Sequence, residues 1–457
     1  MNDQNKRLKI YFAIVLMVAA IGMTVYWTTD FFRLSTAAKT TEQMIDWARM
    51  QPQPATDRLV YALQQRLRTN PKDSQSLAYL GNAYLQKVRE TADPSYYARA
   101  EQVFKSAIDN DSQNAEALTG IGALCLARHD FQEALQWGQR AAQSNPYKAA
   151  AYGVISDAYI ELDRYDEAVE TIQKMVNLRP DLSSYSRVSY VRELMGDVPG
   201  AIEAMKLAVS AGAPALENTN WCRMQLGNLY FNSGILNAAE AEYDKTLAID
   251  PEYAPALFGL ARVRAAQEKF DEALAILQNV TTAQPLPEYV IELGDLYAVN
   301  GRTEEAKQQY ELVQALQRIH RENGVQTDAE LAIFLADHDL DLPGALKRAR
   351  AAMQERPSII SADVLAWTLY KNGRYDEALK YSQQALRLGA KNALMHFHAG
   401  MIDYRLGEID KAREHLQKAM AINPHFSVRY APQAKALLDE LNPKTRSFQG
   451  TPRDLGR

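Results

Sequence analysis

The chain of 457 residues contains only two cysteines, Cys125 and Cys222. So few thiols exclude a disulfide-stapled scaffold and a zinc site built from paired thiolates. Charge of one sign is also scarce: 51 basic and 56 acidic side chains leave a net charge of -5, and no block of Lys or Arg appears. A nucleic-acid footprint needs such a block, so that partner class is set aside. Catalytic signatures are missing too. There is no GxxxxGKS/T loop, no GxGxxG after a strand, no GxSxG elbow and no HExxH pair. His396, His398 and His415 form the one cluster worth weighing, and no thiol or carboxylate in the sequence completes a ligand set for them. The expectation is a protein that is not an enzyme, carries no metal or cofactor, takes no small-molecule substrate and contains no sheet.

Long apolar runs are absent except for one. Ile10 to Trp27 is uncharged and just long enough to cross a hydrocarbon core as a helix, with Tyr11, Tyr26 and Trp27 at the ends where headgroups lie. Phe31, Phe32 and Arg33 follow it instead of a small-residue cleavage site, which favours a retained anchor over residues 10–29. Lys6, Arg7 and Lys9 precede the run, while only Arg33 and Lys39 follow closely. That asymmetry places residues 1–9 in the cytoplasm and the rest outside it, with the opposite topology as the alternative.

What the chain does have is a helical hairpin that recurs about every 34 residues. In the copy from Ile359 to Ala390, Ala362, Leu365, Ala366 and Leu369 make one apolar stripe, and Ala378, Ser382 and Ala385 make another beyond Gly373. One hairpin cannot bury its stripe alone. Units starting near Ser74, Ala115, Ala149, Leu182, Asn220, Ala254, Pro287, Gln326, Ile359 and Ala393 supply its neighbours. Leu80, Gly81 and Tyr84 with Ala100, Phe104 and Ala107 occupy fixed offsets in the first; Leu226, Gly227, Tyr230, Ala239, Tyr243 and Pro251 do so in the fifth. Leu293, Gly294, Tyr297, Ala306 and Tyr310 repeat the pattern in the seventh, and Pro146, Pro180, Pro285, Pro357 and Pro424 close others.

These units resemble tetratricopeptide repeats over residues 74–424. The resemblance implies an all-α solenoid, a superhelix of about ten helix-turn-helix repeats, here with an N-terminal transmembrane helix. Small residues at position 8 opposite Ala at position 20 are expected to let the two helices approach closely, and Pro at 32 to end the second. Cys125 and Cys222, three repeats apart, should not meet. Residues 30–73 read as a tether and a degenerate capping repeat around Trp47, 425–441 as a C-terminal capping helix, and 442–457 as a disordered tail. Three departures stand out. The insertion Arg89 to Tyr96 should protrude as a loop, Ser189 takes position 8 of the fourth unit, and an extended linker from Gln317 to Val325 precedes Ile333 at position 8 of the eighth.

The family's concave face is lined by positions 2, 5, 9, 12 and 13 of the first helices. Carried onto this chain, the peptide-binding groove consists of Tyr190, Trp221, Met224, Phe231, Phe258, Phe334, Asp363, Trp367, Tyr370, Lys371, Phe397, Met401 and Tyr404. Aromatics at that density suit a recognition surface. Glu116, Asp157, Glu161, Glu193, Glu288, Glu292, Asp295, Glu330 and Asp337 face only Arg187, Arg262, Lys371 and Arg405, so the groove reads as acidic. A clamp for a C-terminal carboxylate would need Lys at 5 and Asn at 9; Asn82 is paired with Ala78 and Asn228 with Met224. The expected function is a membrane-anchored scaffold or adaptor that binds a protein or extended peptide. An envelope assembly factor and a regulatory subunit of an enzyme complex are the alternatives.

Overall fold

The computed structural model describes residues 55–214 and 216–441. The anchor, Trp47 and the tail lie outside these residues. Among the described residues no helix is long and apolar enough to cross a membrane. Twenty-two α-helices and no strand are present there: α1 Ala55–Thr69, α2 Ser74–Thr91, α3 Ser95–Asn110, α4 Ala115–Ala127, α5 Phe131–Ser144, α6 Ala149–Glu161, α7 Tyr165–Leu178, α8 Leu182–Leu194, α9 Val198–Ala211, α10 Glu217–Asn232 and α11 Leu236–Leu247. They continue as α12 Ala254–Ala266, α13 Phe270–Ala283, α14 Pro287–Val299, α15 Thr303–Glu322, α16 Asp328–Asp337, α17 Leu342–Glu355, α18 Ile359–Lys371, α19 Tyr375–Ala385, α20 Ala393–Arg405, α21 Ile409–Ile422 and α22 Tyr430–Leu441. Each even-numbered helix from α2 to α20 packs against the helix after it, which makes ten hairpins, with α1 before them and α22 behind.

Local chemistry sets the ends of these helices. Asp73, Asn114, Asp130, Asp181, Asp197, Ser358 and Asn392 each accept a hydrogen bond from a backbone N–H one turn into the helix they precede. At the turn inside most hairpins one residue takes positive φ, from His129 and Asp163 to Gly234, Gly373 and Gly407. The crossing of the two helices depends on a missing side chain. A Cβ on Gly81 would stand 2.5 Å from the Phe104 ring, and one on Gly294 would stand 2.6 Å from the Tyr310 ring. Tyr243 would clash with a Cβ on Gly227 of its own hairpin and on Gly259 of the next. The small residue at position 8 therefore accommodates the ring at position 24, a different contact from the expected one with Ala at position 20.

Two of the three departures are absorbed into helix. Arg89, Glu90 and Thr91 extend α2 where a protruding loop was expected, because Glu90 and Arg89 have partners further along the chain. The segment expected as an extended linker falls largely within α15, which runs on to Glu322 with Val313, Leu316 and Gln317 buried. Ser189 is fully enclosed and donates its hydroxyl to the Ala201 carbonyl at 2.6 Å, so the polar atom at position 8 is satisfied. Both cysteines are free and buried.

First helices touch the first helices of the following hairpin along most of the stack, so they lie on the inner arc of a superhelix. Its curvature is tight enough that successive turns meet. The Glu90 carbonyl, next to the turn of the first hairpin, accepts from Gln284 Nε2 at 2.8 Å just ahead of the seventh. Arg128 O accepts from Gln326 N at 2.9 Å, and His129 Nδ1 lies 2.8 Å from Gln326 O, joining the second turn to the eighth hairpin. Tyr165 Oη accepts from Ile359 N at 3.0 Å, with Asp163 paired to Arg387 beside it. Gly196, at φ +77°, leaves room for the Gly389 carbonyl against which any side chain would clash. Asn423 Nδ2 donates to the Phe231 carbonyl at 2.9 Å, joining the fifth hairpin to the segment ahead of α22. In every case the partner lies six units on, so six hairpins complete one turn and α22 stands where an eleventh first helix would.

Gly227→Ala tests the helix crossing by its sign. Mid-helix Gly to Ala ordinarily stabilises by about 0.5–1 kcal/mol. Here overpacking against the immobile Tyr243 ring reverses this to a loss of about 1–3 kcal/mol, read from the denaturation midpoint. Tyr165→Phe combined with Asn423→Ala removes two hydrogen bonds between superhelical turns. Small-angle X-ray scattering of that variant should give a longer maximum dimension than wild type at unchanged helical circular dichroism.

Candidate functional site

The lumen divides into an open middle and a filled C-terminal half. In the middle, α8, α10 and α12 border a cleft of about 230 Å³ whose lining includes Tyr190, Glu193, Gln225, Asn228, Asn232 and Arg262. Tyr243 Oη donates to Asn228 Oδ1 at 2.7 Å, and Asn228 Nδ2 donates to Gln225 Oε1 at 3.1 Å, which fixes both amides. The Arg262 guanidinium lies over the Phe231 ring at 4.1 Å, with Phe258 5.9 Å away. Burial pushes the Glu193 carboxyl up to about 7, although Asn232 hydrogen-bonds to it and pulls the other way.

Part of the acidity read from the sequence is internally neutralised. Glu116 pairs with Lys148 at 2.7 Å, Glu330 with Arg356 at 2.5 Å, and the Asp157 carboxylate takes the Arg187 guanidinium through two bonds of 2.9 and 2.6 Å. Five of the nine have no ion pair among the described residues: Glu161, Glu193, Glu288, Glu292 and Asp337, the last hydrogen-bonded instead by the Trp367 indole and the Tyr430 phenol. Burial raises Glu288 and Glu292, the latter against the pull of Arg262. One oxygen of Glu161 is enclosed with no hydrogen-bond partner. Glu288 is exposed and Glu193 and Glu292 are half-buried. Of these acids, Glu193 lines the open cleft.

The C-terminal half corrects the expected aromatic surface. Trp367 and Phe397 are 2% and 0% exposed and Phe334 is 1% exposed, so none is free to meet a ligand. Trp367 is sandwiched between Tyr370 at 4.7 Å and His398 at 4.2 Å, and its indole N–H donates to Asp337 Oδ1 at 2.7 Å. Asp363 is buried against His398 Nδ1, with both oxygens within 3.1 Å, and Lys371 is paired with Asp339 at 2.6 Å. Phe334 packs against Tyr310 and His338. Tyr370, Met401 and Tyr404 are half-buried around the same cluster. Further up, Met224 and Phe231 are buried, while Tyr190, Trp221 and Phe258 are half-buried.

The physical cause is a segment that spacing did not mark. After α21 the chain turns into the lumen, where Tyr430 stacks on Phe397 at 4.9 Å and meets Trp367 edge-on at 5.6 Å, while Phe426 lies 5.7 Å from Phe397. The capping helix expected over 425–441 begins only at Tyr430, and no periodicity distinguishes Phe426 to Arg429, so the sequence carried no sign of where this segment packs. His396 and His415 face each other at 3.0 Å on the outer side of α20 and α21; burial lowers both imidazoles, His396 to about 4. Asp403 stands 3.8 Å from His415, a neighbour the sequence did not reveal.

Comparison with known proteins follows the same hairpins. Models of the tetratricopeptide repeat match residues 95–149 with 364–425, and residues 126–189. A tetratricopeptide repeat-like domain matches residues 217–331. Cellulose synthase 1 operon protein C of Komagataeibacter xylinus is 28% identical over 197 residues, which are 43% of this chain and 13% of that protein. TPR repeat-containing protein YpiA of Bacillus subtilis (strain 168) is 23% identical over 219 residues, 47% of this chain and 51% of that protein. The chain thus spans from about an eighth to about half of these relatives' length. Among solved structures, yeast Tom70 aligns over 86% of this chain and 96% of its own at 13% identity, with a TM-score of 0.38. With matches spread from residue 95 to residue 425 over the hairpins described above, the chain is a tetratricopeptide repeat protein.

Proposed function

We propose that this repeat scaffold is an adaptor that holds an extended, basic protein segment in the middle of its lumen, at the cleft between α8, α10 and α12. The observation that carries this is Glu193, which lines the cleft with its carboxyl raised by burial, flanked by Glu161 of α6 and by Glu288 and Glu292 of α14, none of them in an ion pair among the described residues. Keeping them charged in that setting is unfavourable, and a Lys or Arg side chain from a partner relieves it. Tyr190, Trp221 and Phe258 supply half-buried ring faces for the partner's apolar positions. No catalytic step belongs to this function. The apolar run over residues 10–29 would hold the adaptor at a membrane, with the repeats outside the cytoplasm; a reporter fused to the C-terminus and assayed on both sides checks that arrangement.

A second reading is a cell-envelope assembly factor. It is supported by the likeness to proteins named cellulose synthase operon protein C in Komagataeibacter xylinus and Xanthomonas axonopodis. Affinity purification of the full chain followed by mass spectrometry separates the two: envelope-synthesis proteins as main partners favour the second.

Acid dependence tests the basic partner. The folded Glu193 carboxyl titrates near 7 against the usual 4.5, so its contribution to stability is present below pH 4.5 and lost as pH rises through 7. Glu193→Gln should therefore unfold at a higher temperature than wild type at pH 8 and at the same temperature at pH 4. Ligand binding runs the other way. A Lys- and Phe-rich decapeptide prefers the ionised carboxylate, so its affinity should fall by up to about tenfold from pH 8 to pH 6 in wild type and stay flat in Glu193→Gln. Equal pH profiles for the two proteins in calorimetric titration would remove Glu193 from the site.

A further inference from the structure

We infer that Phe426 to Tyr430 is an internal ligand that occupies the C-terminal half of the lumen in place of a partner, and that the partner segment displacing it carries an arginine followed by an aromatic residue. This rests on the reading of the lumen as a peptide site and adds what its second half recognises.

A helix that merely caps a solenoid covers the last hairpin. Part of α22 does so: the Tyr404 hydroxyl meets Glu440 at 3.4 Å, and Arg413 reaches the Leu441 carbonyl at 3.3 Å. The residues before and at its start do something else. Asn423 is bonded to the carbonyl of Phe231 on α10. Val428 packs with the cluster formed by Ala261, Leu293, Leu296 and Tyr297 of α12 and α14. Arg429 extends to Asp295 of α14 at 3.4 Å, and its Nη2 donates to the Asp337 carbonyl of α16 at 2.9 Å. The Tyr430 hydroxyl donates to the Asp337 carboxylate at 2.8 Å, and its ring covers Phe397 and Trp367. A short run of chain thus touches the first helices of hairpins five to ten, the span an extended peptide would cover in such a lumen.

The contacts have the composition of recognition more than of a core. Asp337 receives three donors, from the Trp367 indole and the Tyr430 phenol at its side chain and from the Arg429 guanidinium at its carbonyl. Asp295 receives the Tyr310 hydroxyl, faces His338 at 2.8 Å and lies against Arg429. Each of these acids sits on a first helix facing the lumen, and the guanidinium and phenol that satisfy them both come from the intruding segment. Where this segment is present, Asp295 is ion-paired with Arg429 and the Asp337 carboxylate accepts the Tyr430 hydroxyl. Around Glu193 and Glu288, where it is absent, no ion pair is present among the described residues. The segment therefore supplies to one half the cationic and aromatic groups that the other half lacks. Phe426, Val428 and Arg429 remain half-buried, and Tyr430 is the buried anchor of the segment.

The test uses a synthetic, fluorescently labelled peptide with the sequence of residues 423–434 and the full chain in two forms. Arg429→Gln with Tyr430→Phe keeps the bulk of both side chains and removes the polar latch. Fluorescence anisotropy should show at least tenfold tighter binding to this variant than to wild type, and a peptide in which Ala replaces the arginine should lose that gain. Equal or absent binding to both forms, with helical circular dichroism intact, would overturn the proposal. A second measurement avoids the variant: excess peptide added to wild type should speed amide hydrogen exchange at residues 426–430 and leave α21 unchanged, and unchanged exchange at 426–430 argues against displacement. If the Lys- and Phe-rich decapeptide still binds the middle cleft while this peptide fails, only the C-terminal proposal falls; failure of both removes the lumen as a peptide site.

Discussion

A glycine under an aromatic ring is the contact on which this architecture depends. Phe104 lies across Gly81 of its own hairpin and Gly120 of the next, and Tyr243 does the same with Gly227 and Gly259. One ring thus sets two distances at once, the separation of the helices within a hairpin and the approach of the following one. Because the ring is rigid and fully enclosed, neither distance relaxes independently. The angle between successive units accumulates from such contacts. Its sum over six units closes a superhelical turn, which is why a contact of a few ångströms at each crossing decides whether distant parts of the chain can meet.

That they do meet changes what the inner surface is. In an open solenoid the concave face is a broad trough in contact with bulk water. Here the turn of each early hairpin touches the segment six units ahead, through His129 and Gln326, Tyr165 and Ile359, Gly196 and Gly389, Asn423 and Phe231. The trough becomes a lumen with protein on all sides. Carboxylates that would be ordinary surface groups on a trough are then partly desolvated, and the raised protonation range of Glu193 follows from this closure more than from any single neighbour. Most contacts between turns are hydrogen bonds to backbone carbonyls, individually worth about 1 kcal/mol. A closed form held by a few such bonds can open without disturbing the helix crossings inside the hairpins, such as the glycine–ring contacts at Gly81, Gly227 and Gly294.

The all-α repeat architecture was legible from the sequence because its determinants are local and recur. Leu293, Gly294, Tyr297, Ala306 and Tyr310 specify one hairpin within a short stretch, and the same offsets elsewhere specify the others. Contacts across six units leave no such trace. Nothing about Tyr165 or Asn423 in sequence reveals that each bonds to a partner more than 190 residues away. The same gap explains the groove. Position rules placed Trp367 and Phe397 on the concave side, and they are there, but whether a concave residue is exposed depends on what enters the lumen. The entering residues, Phe426 to Tyr430, lead into a helix whose amphipathic pattern was visible while the packing of this entry segment was not. Expected loops at Arg89 and Gln317 became helix for a related reason: both segments acquire tertiary partners that local composition does not encode.

Charge pairing ties these levels together. The lumen carries more acids than its own lining can neutralise, and the chain answers differently along its length. Asp157, deep between α6 and α8, receives Arg187 from the next first helix, and Gly153 gives that guanidinium room to lie flat. Asp295 and Asp337 receive Arg429 and Tyr430 from a segment of the chain that has folded back from its C-terminal side. Glu193, Glu288 and Glu292 receive no cation from the described residues. Since an unpaired enclosed carboxylate is costly and a paired one much less so, the third group is where added positive charge gains most. The ordering from lining, to intruding segment, to nothing is thus an ordering of how replaceable the counter-charge is, from a fixed neighbour, through a displaceable one, to a site that only a second molecule can fill.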